Sequence, residues 1–382
     1  MIFLYTGITS SGSLVGVNYP LVDTISCIVT EERNGRFDLV MTYPIGSAYS
    51  DMLIPDAIIL ATPRPNSTPQ PFRISEIEQV IEGIVTVRAN HIVYDLDGWG
   101  LLRPNEIFDS RQGITTVLTS LNNLMFASPY SMFEAVNVGI SNTTTIVEFG
   151  NTDYASVFAI IGKVAEAFNA ELKYEWDAST GKCTVSFCAA RGTAKPTIIS
   201  YGVNIISLDR KLDYSTVYST VYAYWLNPDP QGLIRSAAEP AQTGYTARTR
   251  CLYINYTDKY GSTEPQMGQL GADAQKYIDT HGLSPSNSLT VAFVPTGNTT
   301  DYQTGLARVG SAVVGVAIIG NLIDNSVLYL CDTATVDASL IGVSATAKCV
   351  KVIYNVITEM YDAVTVGTIQ DDIVDTILKI GG

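Results

Sequence analysis

Residues 27–44, CIVTEERNGRFDLVMTYP, contain the strongest local folding signal in this chain. Two runs of β-forming residues flank the dipeptide Asn34-Gly35, and this arrangement is typical of a tight hairpin turn. A two-residue type I′ turn needs positive φ at both central positions, which Asn and Gly tolerate well. We therefore predict a β-hairpin with strands at 22–29 and 37–43 and a type I′ turn between them.

The rest of the first 103 residues also has a β pattern. Strand-like runs at 57–61, 72–80 and 84–94 are separated by a Pro-rich stretch at 62–71 and by Gly83. Short strands divided by Pro and Gly turns are typical of a small barrel or sandwich.

The middle of the chain changes to helical periodicity. Apolar residues of one helix face recur from Ile114 to Leu121, and a longer series runs from Tyr154 to Phe168. Polar residues at 151–153 offer capping groups before the second helix. Strands predicted at 170–176 and 182–188 complete a compact αββ unit.

The remainder is again mostly β. We predict strands at 217–225, 245–256, 289–294, 327–331, 346–355 and 363–367, with an exposed loop at 227–244. A helix should begin at Pro265 and end at His281-Gly282. The last segment is amphipathic, with one apolar face made by Ile369, Ile373, Ile377 and Ile380.

Composition and charge narrow the function classes. The chain has 382 residues, enough for two or three domains, and its net charge of −14 disfavours a surface that grips nucleic acid. Only 16% of residues are charged, and Tyr outnumbers Phe by 22 to 11. This composition fits either a β-rich protein or one rich in subunit interfaces.

The longest apolar run, 312–319, is too short to span a membrane. The six cysteines form no CxxC pair, which favours buried thiols in a reducing compartment.

Chemical motifs are weak. The only histidines are His91, inside a predicted strand, and His281, at a predicted helix end, and both favour structural roles. Asp95-Leu96-Asp97-Gly98 starts like a calcium loop, but its Gly comes too early. The glycine-spaced segment 310–320 lacks the Lys and Ser/Thr of a P-loop and has no GxGxxG pattern. We predict no catalytic, cofactor-binding or metal-binding residues, and no enzymatic activity.

A set of motifs occurs in a particular order along residues 20–370. They are VTEERNGRFDL with Tyr43-Pro44, ANHIVYDL at 89–96, Arg191-Gly192, YGVNI at 201–205, LYLCDTATV at 328–336, KCVKVIY at 348–354 and Val366-Gly367. This ordered set resembles the baseplate hub proteins of long-tailed phages. That family includes tail-associated lysin N-terminal regions, phage minor structural proteins and prophage endopeptidase tail proteins.

The resemblance implies an α+β, mainly β fold with interleaved domains. A first tube-like β-barrel would occupy residues 1–105, completed by 201–215, and an αββ domain residues 106–200. A second tube-like barrel would occupy 216–370 with a helical insertion at about 263–284, before an amphipathic segment at 371–382. Three copies would form a pseudo-sixfold ring that matches a hexameric tail tube.

The resemblance also implies partners and location. The chain would be a homotrimeric hub that joins the tail tube to a trimeric spike, tip or fibre protein, alongside other baseplate proteins. It would be made in the bacterial cytoplasm and reside in a phage tail or a phage-derived contractile particle such as an R-type bacteriocin. The amphipathic end could dock the tip protein. We expect no cofactor, no tight nucleic-acid binding and no membrane-spanning segment.

One departure from the family leaves alternatives open. Many members continue into a peptidoglycan-cleaving domain or a fibre, whereas this sequence stops at Gly382, so we expect any lytic activity to reside on another polypeptide. The alternatives are a tail-associated peptidoglycan hydrolase, whose clearing of cell walls would depend on a carboxylate or His91, and a carbohydrate-binding module of the cell surface.

Overall fold

The fold is described by a computed structural model. The described residues are 2–80, 83–108, 111–127, 131–149, 154–200, 205–213, 217–227, 236–245, 247–281, 286–293, 328–338 and 343–367. The predicted segments at 310–320 and 371–382, and most of the 201–205 motif, lie outside the described residues.

Most of the regular structure is β. The strands are β1 Phe3–Tyr5, β2 Gly7–Ile8, β3 Leu14–Val15, β4 Tyr19–Pro20, β5 Ser26–Glu32, β6 Phe37–Pro44, β7 Ile58–Ala61, β8 Gln70–Val80, β9 Ile84–His91, β10 Gly100–Leu102, β11 Phe133–Val138, β12 Tyr154–Ser156, β13 Glu171–Trp176, β14 Cys183–Cys188, β15 Ala194–Ser200, β16 Ile205–Asp213, β17 Thr220–Leu226, β18 Ser236–Gln242, β19 Cys251–Asn255, β20 Ser286–Phe293, β21 Thr333–Ala338, β22 Val343–Asn355 and β23 Met360–Gly367. The α-helices are α1 Ile114–Ala127, α2 Val157–Ala167, α3 Thr257–Tyr260 and α4 Met267–His281. The expectation of a mainly β, α+β fold is confirmed.

One large curled sheet organises the molecule. Its main path runs β16-β20-β23-β22-β5-β6-β9-β8-β7-β1-β4, and β15 and β21 join it beside β22. The antiparallel contact between β22 and β5 connects the C-terminal strands to the N-terminal ones, with Lys351 opposite Glu32. Strand β16, which the family resemblance assigns to the first barrel, pairs with β20. The division into two barrels stays a prediction.

The alternating sequence of β6 explains how this sheet packs. Phe37, Leu39, Met41 and Tyr43 are at most 1% exposed, whereas the residues between them are only partly buried. Successive side chains of a strand point to opposite faces, so these four enter the core together. The pairing with β9 continues the pattern, since Val85, Val87 and Ala89 are buried in the same core.

The hairpin of β5 and β6 forms as predicted, but its turn differs. Glu32 N donates to Arg36 O at 2.7 Å, which leaves a three-residue turn at residues 33–35. Only Asn34 has positive φ, at 51°, so the type I′ prediction is wrong. The Asn34 side chain makes hydrogen bonds to the backbone of Ala170 and Leu172, and the observed turn directs the side chain toward them.

The αββ unit forms and gains further elements. Strands β13 and β14 pair antiparallel, and β11 adds a parallel strand on the far side of β14. Helix α2 begins one residue after Ser156, whose Oγ accepts from Ala159 N at 3.1 Å. The N-cap is therefore Ser156 and not one of residues 151–153, which lie outside the described residues. Tyr154 belongs to β12 and is not helical.

A separate small unit is inserted between β16 and β20. We call residues 217–227, 236–245 and 247–281 the inserted unit; its sheet has the order β18-β17-β19, and α4 packs on it. Its core, with Trp225 and Leu270 among the buried residues, is distinct from the main core. The predicted helix ending at His281 is confirmed, whereas the predicted loop at 227–244 contains β18.

Several other boundaries differ from the sequence-based expectations, as at β5 and at β19, which is only Cys251–Asn255. The strand expected at 84–94 ends at His91, where a 3₁₀ helix, Ile92–Gly98, begins. The strand expected at 327–331 is a turn where it is described, with Cys331 at φ 71°, and the strand starts at Thr333. Among the described residues, no helix is both long and apolar enough to cross a membrane.

Candidate functional site at the junction of the large sheet and the αββ unit

The tip of the hairpin contacts an edge strand of the αββ unit. Asn34 Nδ2 donates to Ala170 O, and Asn34 Oδ1 accepts from Leu172 N, both at 2.7 Å. One side-chain amide thus pairs with the backbone on both sides of Glu171, much as a neighbouring strand would. The turn positions this amide because Asn34 adopts the left-handed conformation, which Asn tolerates better than most residues.

A second amide from the large sheet pairs with the other end of the same strand. Gln70, the first residue of β8, accepts at Oε1 from Trp176 N at 2.7 Å and donates from Nε2 to Trp176 O at 3.2 Å. Its side chain is buried, since Gln70 is 2% exposed. We call Asn34 and Gln70 together the amide clamp.

The amide clamp pairs with backbone groups that the edge of a sheet leaves without a partner strand. Strand β13 is the last strand of its sheet, so the outward N–H and C=O groups of Leu172 and Trp176 have no strand partner. A buried backbone group without a partner costs about 1–3 kcal/mol. Arg191 completes the pairing by donating from Nη1 to Leu172 O at 2.9 Å. The αββ unit is therefore attached to the large sheet by hydrogen bonds along this edge.

Buried charges reinforce the same contact. Glu31 of β5 is 2% exposed, and its carboxylate accepts from Arg191 Nη2 at 2.5 Å and from Arg64 Nη1 at 3.3 Å. Burial alone would raise the pKa of Glu31, but the two guanidinium groups outweigh it and lower the pKa below the ordinary value. Glu31 thus stays ionised between two arginines from distant parts of the chain.

Glu171 forms the second centre of charge. Its Oε1 lies 2.5 Å from Lys348 Nζ and 3.2 Å from Arg33 Nε, and its Oε2 accepts from Arg191 N at 2.8 Å. Burial opposes ionisation here too, and the Lys348 contact is the largest of the effects that lower the pKa of Glu171. We call Glu31, Glu171 and their cationic partners the ionic junction. It ties the hairpin, β13 and β22 together.

The segment after Arg191 packs tightly against the turn before β21. A Cβ placed on Gly192 would lie 2.1 Å from the carbonyl carbon of Cys331, so no other residue fits there without moving the backbone. Thr193 N donates to Asp332 Oδ1 at 2.7 Å, and Lys195 Nζ lies 3.7 Å from Asp332 Oδ2. This close approach places Arg191 within reach of Glu31.

His91 has a structural environment. Its ring is fully buried, stacks on Phe37 with a centroid distance of 4.5 Å, and accepts at Nδ1 from Val93 N at 3.3 Å. The proton therefore belongs on Nε2, which lies 3.3 Å from Gln70 Oε1. Burial lowers the pKa of His91 to about 3, so the ring is neutral at ordinary pH and supports the amide clamp.

The two carboxylates of the calcium-like segment, Asp95 and Asp97, also have structural partners. Asp95 accepts from Arg73 at 2.8 and 2.7 Å in a two-point contact, and Asp97 Oδ1 accepts from Ser156 Oγ at 2.7 Å. These contacts use the carboxylates that a calcium loop would need. In the part of the chain that the structure describes, no cluster of His, Cys, Asp or Glu is suited to hold a metal ion.

Sequence reasoning missed the residues that make this contact. Glu31 and Arg191-Gly192 stood out only as parts of motifs, and Gln70 and Arg64 carried no local signal. Gln70 meets Trp176 across 106 positions, and Arg191 meets Glu31 across 160. The arrangement holds two parts of the fold in a defined orientation, with its carboxylates neutralised by cations.

Comparison with known proteins rests on structure. No protein-family model matches the chain, and no curated protein is similar to it in sequence. The prophage tail protein gp18 from Listeria monocytogenes EGD-e is 12% identical, with a TM-score of 0.54 and coverage of 100% of this chain and 98% of that one. The 43 kDa tail protein of prophage MuSo2 from Shewanella oneidensis is 11% identical, with a TM-score of 0.55 and coverage of 97% and 99%. A tail protein from Neisseria meningitidis MC58 is 10% identical, with a TM-score of 0.56 and coverage of 96% of both chains. This chain therefore has, over nearly its whole length, the fold of these three tail proteins.

Proposed function

We propose that this chain is a structural component of a phage tail or phage-derived particle, namely the baseplate hub that joins the tail tube to a tip. The observation that carries the proposal is the end-to-end similarity in fold to three prophage tail proteins, with at least 96% of each chain covered. The ordered motifs of the sequence support the finer assignment to a hub. In this role the chain forms a homotrimer and has no catalytic function.

The ionic junction suits such a role. Its buried carboxylates each contact two or more cations, and the amide clamp adds backbone pairing across the same contact. Breaking a buried ion pair by removing one partner costs about 3–5 kcal/mol, so relative movement of the large sheet and the αββ unit is strongly resisted. A part that connects other tail components benefits from such rigidity.

Solution mass and particle shape test the proposal. Light scattering on the purified chain should give three times the 41.2 kDa chain mass, and negative-stain class averages should show threefold rings with a central hole. A second experiment uses particles purified from the producing bacterium. A labelled antibody against this chain should mark the tail end of these particles. Absence of the chain from purified particles would overturn the proposal.

One observation favours binding of wall carbohydrate as a second candidate. Tyr222 and Tyr253 lie side by side on the inserted unit, with ring centroids 5.2 Å apart and planes 12° apart. Tyr253 is 64% exposed, so one ring face is open, and sugar rings stack on such faces. The candidate predicts that the isolated protein is retained on purified cell walls and that Tyr253→Ala is not.

A further inference from the structure

Exposed apolar side chains gather at one end of the large sheet. Seven of them are between 40% and 76% exposed. We call this set the apolar rim, and its members are Val22, Ile25, Ile45, Tyr49, Ile54, Ile357 and Met360. Single exposed apolar residues are ordinary on a protein surface, whereas contiguous groups mark interaction sites.

Backbone contacts join the segments that carry Ile25, Ile45 and Ile357. Ile25 N donates to Thr42 O, and Ile45 N donates to Gly83 O, which joins the start of β5, the end of β6 and the turn before β9. Val356 N donates to Cys27 O, which places the turn between β22 and β23 beside them. These three segments, far apart in sequence, therefore meet at the same strand ends, and Tyr49 and Ile54 follow on the loop from β6 to β7.

The rim can form the apolar centre of a protein interface. It lies at the ends of four neighbouring strands, β23, β22, β5 and β6, and continues along the loop that leads from β6 to β7. At a strand spacing of about 4.8 Å the four strand ends span about 14 Å, and the loop extends the surface beyond them. A stable complex of ordinary size buries about 800 Å² on each partner, which includes a polar border around such a centre.

The charged residues in the segments that carry the rim are all acidic. Asp23, Asp51, Asp56, Glu359 and Asp362 are exposed beside the apolar residues. The segments that carry the rim, at 22–25, 45–56 and 355–362, contain no Lys, Arg or His. Lys351, the nearest cation along β22, is paired with Glu32 at 2.7 Å. The rim is therefore an apolar surface with an acidic border.

We propose that the apolar rim is the docking surface for a protein whose own apolar surface is bordered by Lys and Arg. Complementary charge around an apolar centre gives an interface its partner choice and its association rate. The acidic border disfavours rim-to-rim pairing of two copies, and it disfavours anionic lipid and nucleic acid as occupants. The inference rests on the proposed function, since the partner is then the adjoining tail component.

Binding measurements with purified tail components test the apolar part. The probes are the tail tube protein and the tip protein of the particle that contains this chain, each immobilised separately. The double variant Ile25→Ser with Ile357→Ser should bind one of the two probes at least about tenfold more weakly than the natural chain. The matched control, Leu102→Ser with Phe126→Ser, changes two exposed apolar residues outside the rim and should bind within about twofold of the natural chain.

A second pair of variants tests the acidic border. Asp23→Lys with Asp51→Lys should slow association with the same probe and reverse the dependence of association on salt. The control, Glu134→Lys with Glu264→Lys, makes the same charge change at exposed acids outside the rim and should leave association nearly unchanged.

The outcomes separate the inference from the proposed function. If rim and control variants bind alike, the rim is not the docking surface, although the hub assignment stands when either probe binds the natural chain. If the rim variants instead abolish self-association, the occupant is a second copy and the inference is overturned. If neither probe binds and the chain is absent from particles, the proposed function itself fails.

Discussion

The large sheet with its αββ unit and the inserted unit are built in contrasting ways. The first two share one hydrophobic core and are joined by the amide clamp and the ionic junction. The inserted unit has its own core and is connected through two chain segments that meet where Asp213 lies opposite Ser286. Neighbours in sequence can therefore belong to separate cores, while segments more than 100 residues apart share one core and are joined by hydrogen bonds and ion pairs.

An exposed ion pair joins the inserted unit to the αββ unit. Lys276 Nζ lies 3.5 Å from Glu148 Oε1, and both side chains are more than half exposed. A cleft of about 290 Å³ separates the two units there, with Lys163 and Glu166 on one wall and Lys259 and Asp273 on the other. Exposed ion pairs contribute at most about 1 kcal/mol, so this contact couples the two units weakly.

The largest expected effect comes from breaking the ionic junction. Glu31→Ala leaves Arg191 and Arg64 without their shared buried carboxylate. We call the large sheet and the αββ unit together the main body, and we expect its free energy of unfolding to fall by about 3–5 kcal/mol. Urea unfolding followed by hydrogen exchange measures this loss. The control Glu148→Ala should cost less than about 1 kcal/mol. Equal losses in both variants would remove the contrast between the two contacts.

The next effect tests whether the inserted unit is independent. Leu270 is fully buried in the core of that unit, and Leu270→Ala should destabilise it by about 2–5 kcal/mol. Because that core is separate, hydrogen exchange should speed up in β17 and α4 while β6 and β9 stay protected. A matching loss of protection in β6 would show that the two cores unfold as one.

The amide clamp should give a smaller and more local effect. Gln70→Ala leaves both backbone groups of Trp176 without their side-chain partner, at a cost of about 1–3 kcal/mol for each group that stays dry. Amide exchange at Trp176 should speed up more than at Val185 in the middle of β14. The exposed Gln275→Ala serves as the control and should change neither rate.

Acid should weaken the main body through His91. The folded pKa of about 3 lies below the ordinary value of 6.5, so the unfolded chain takes up a proton first as pH falls. Stability is full above about pH 6.5 and should fall by up to about 1.4 kcal/mol per pH unit down to the folded pKa. Glu31 and Glu171, whose pKa values are also lowered, add further loss below their ordinary value of 4.5. Urea unfolding at each pH should show that His91→Gln flattens the dependence of stability on pH between 6.5 and 4.5. An unchanged slope would show that other groups cause the loss of stability.

The local sequence pattern correctly predicted the helices and strands in which apolar residues recur regularly on one buried face. The series from Ile114 to Leu121 became α1, and the alternation in β6 became a buried strand, because periodic burial needs only the residues themselves. Strand β18 was missed because its sequence, SAAEPAQ, has weak β propensity and contains a proline. It forms as an edge strand against β17, a position that tolerates Pro240.

The sequence by itself determined the mainly β character, the hairpin, the helices and the absence of a recognisable catalytic motif, since these follow from side-chain periodicity and composition. The tertiary structure alone decided which distant polar groups meet: Asn34 and Gln70 with β13, Glu31 with Arg191 and Arg64, and the loops that form the apolar rim. The physical reason is that a strand edge or a buried charge must find a partner, and any suitable group can serve. Only the folded chain shows which one is brought within hydrogen-bond distance.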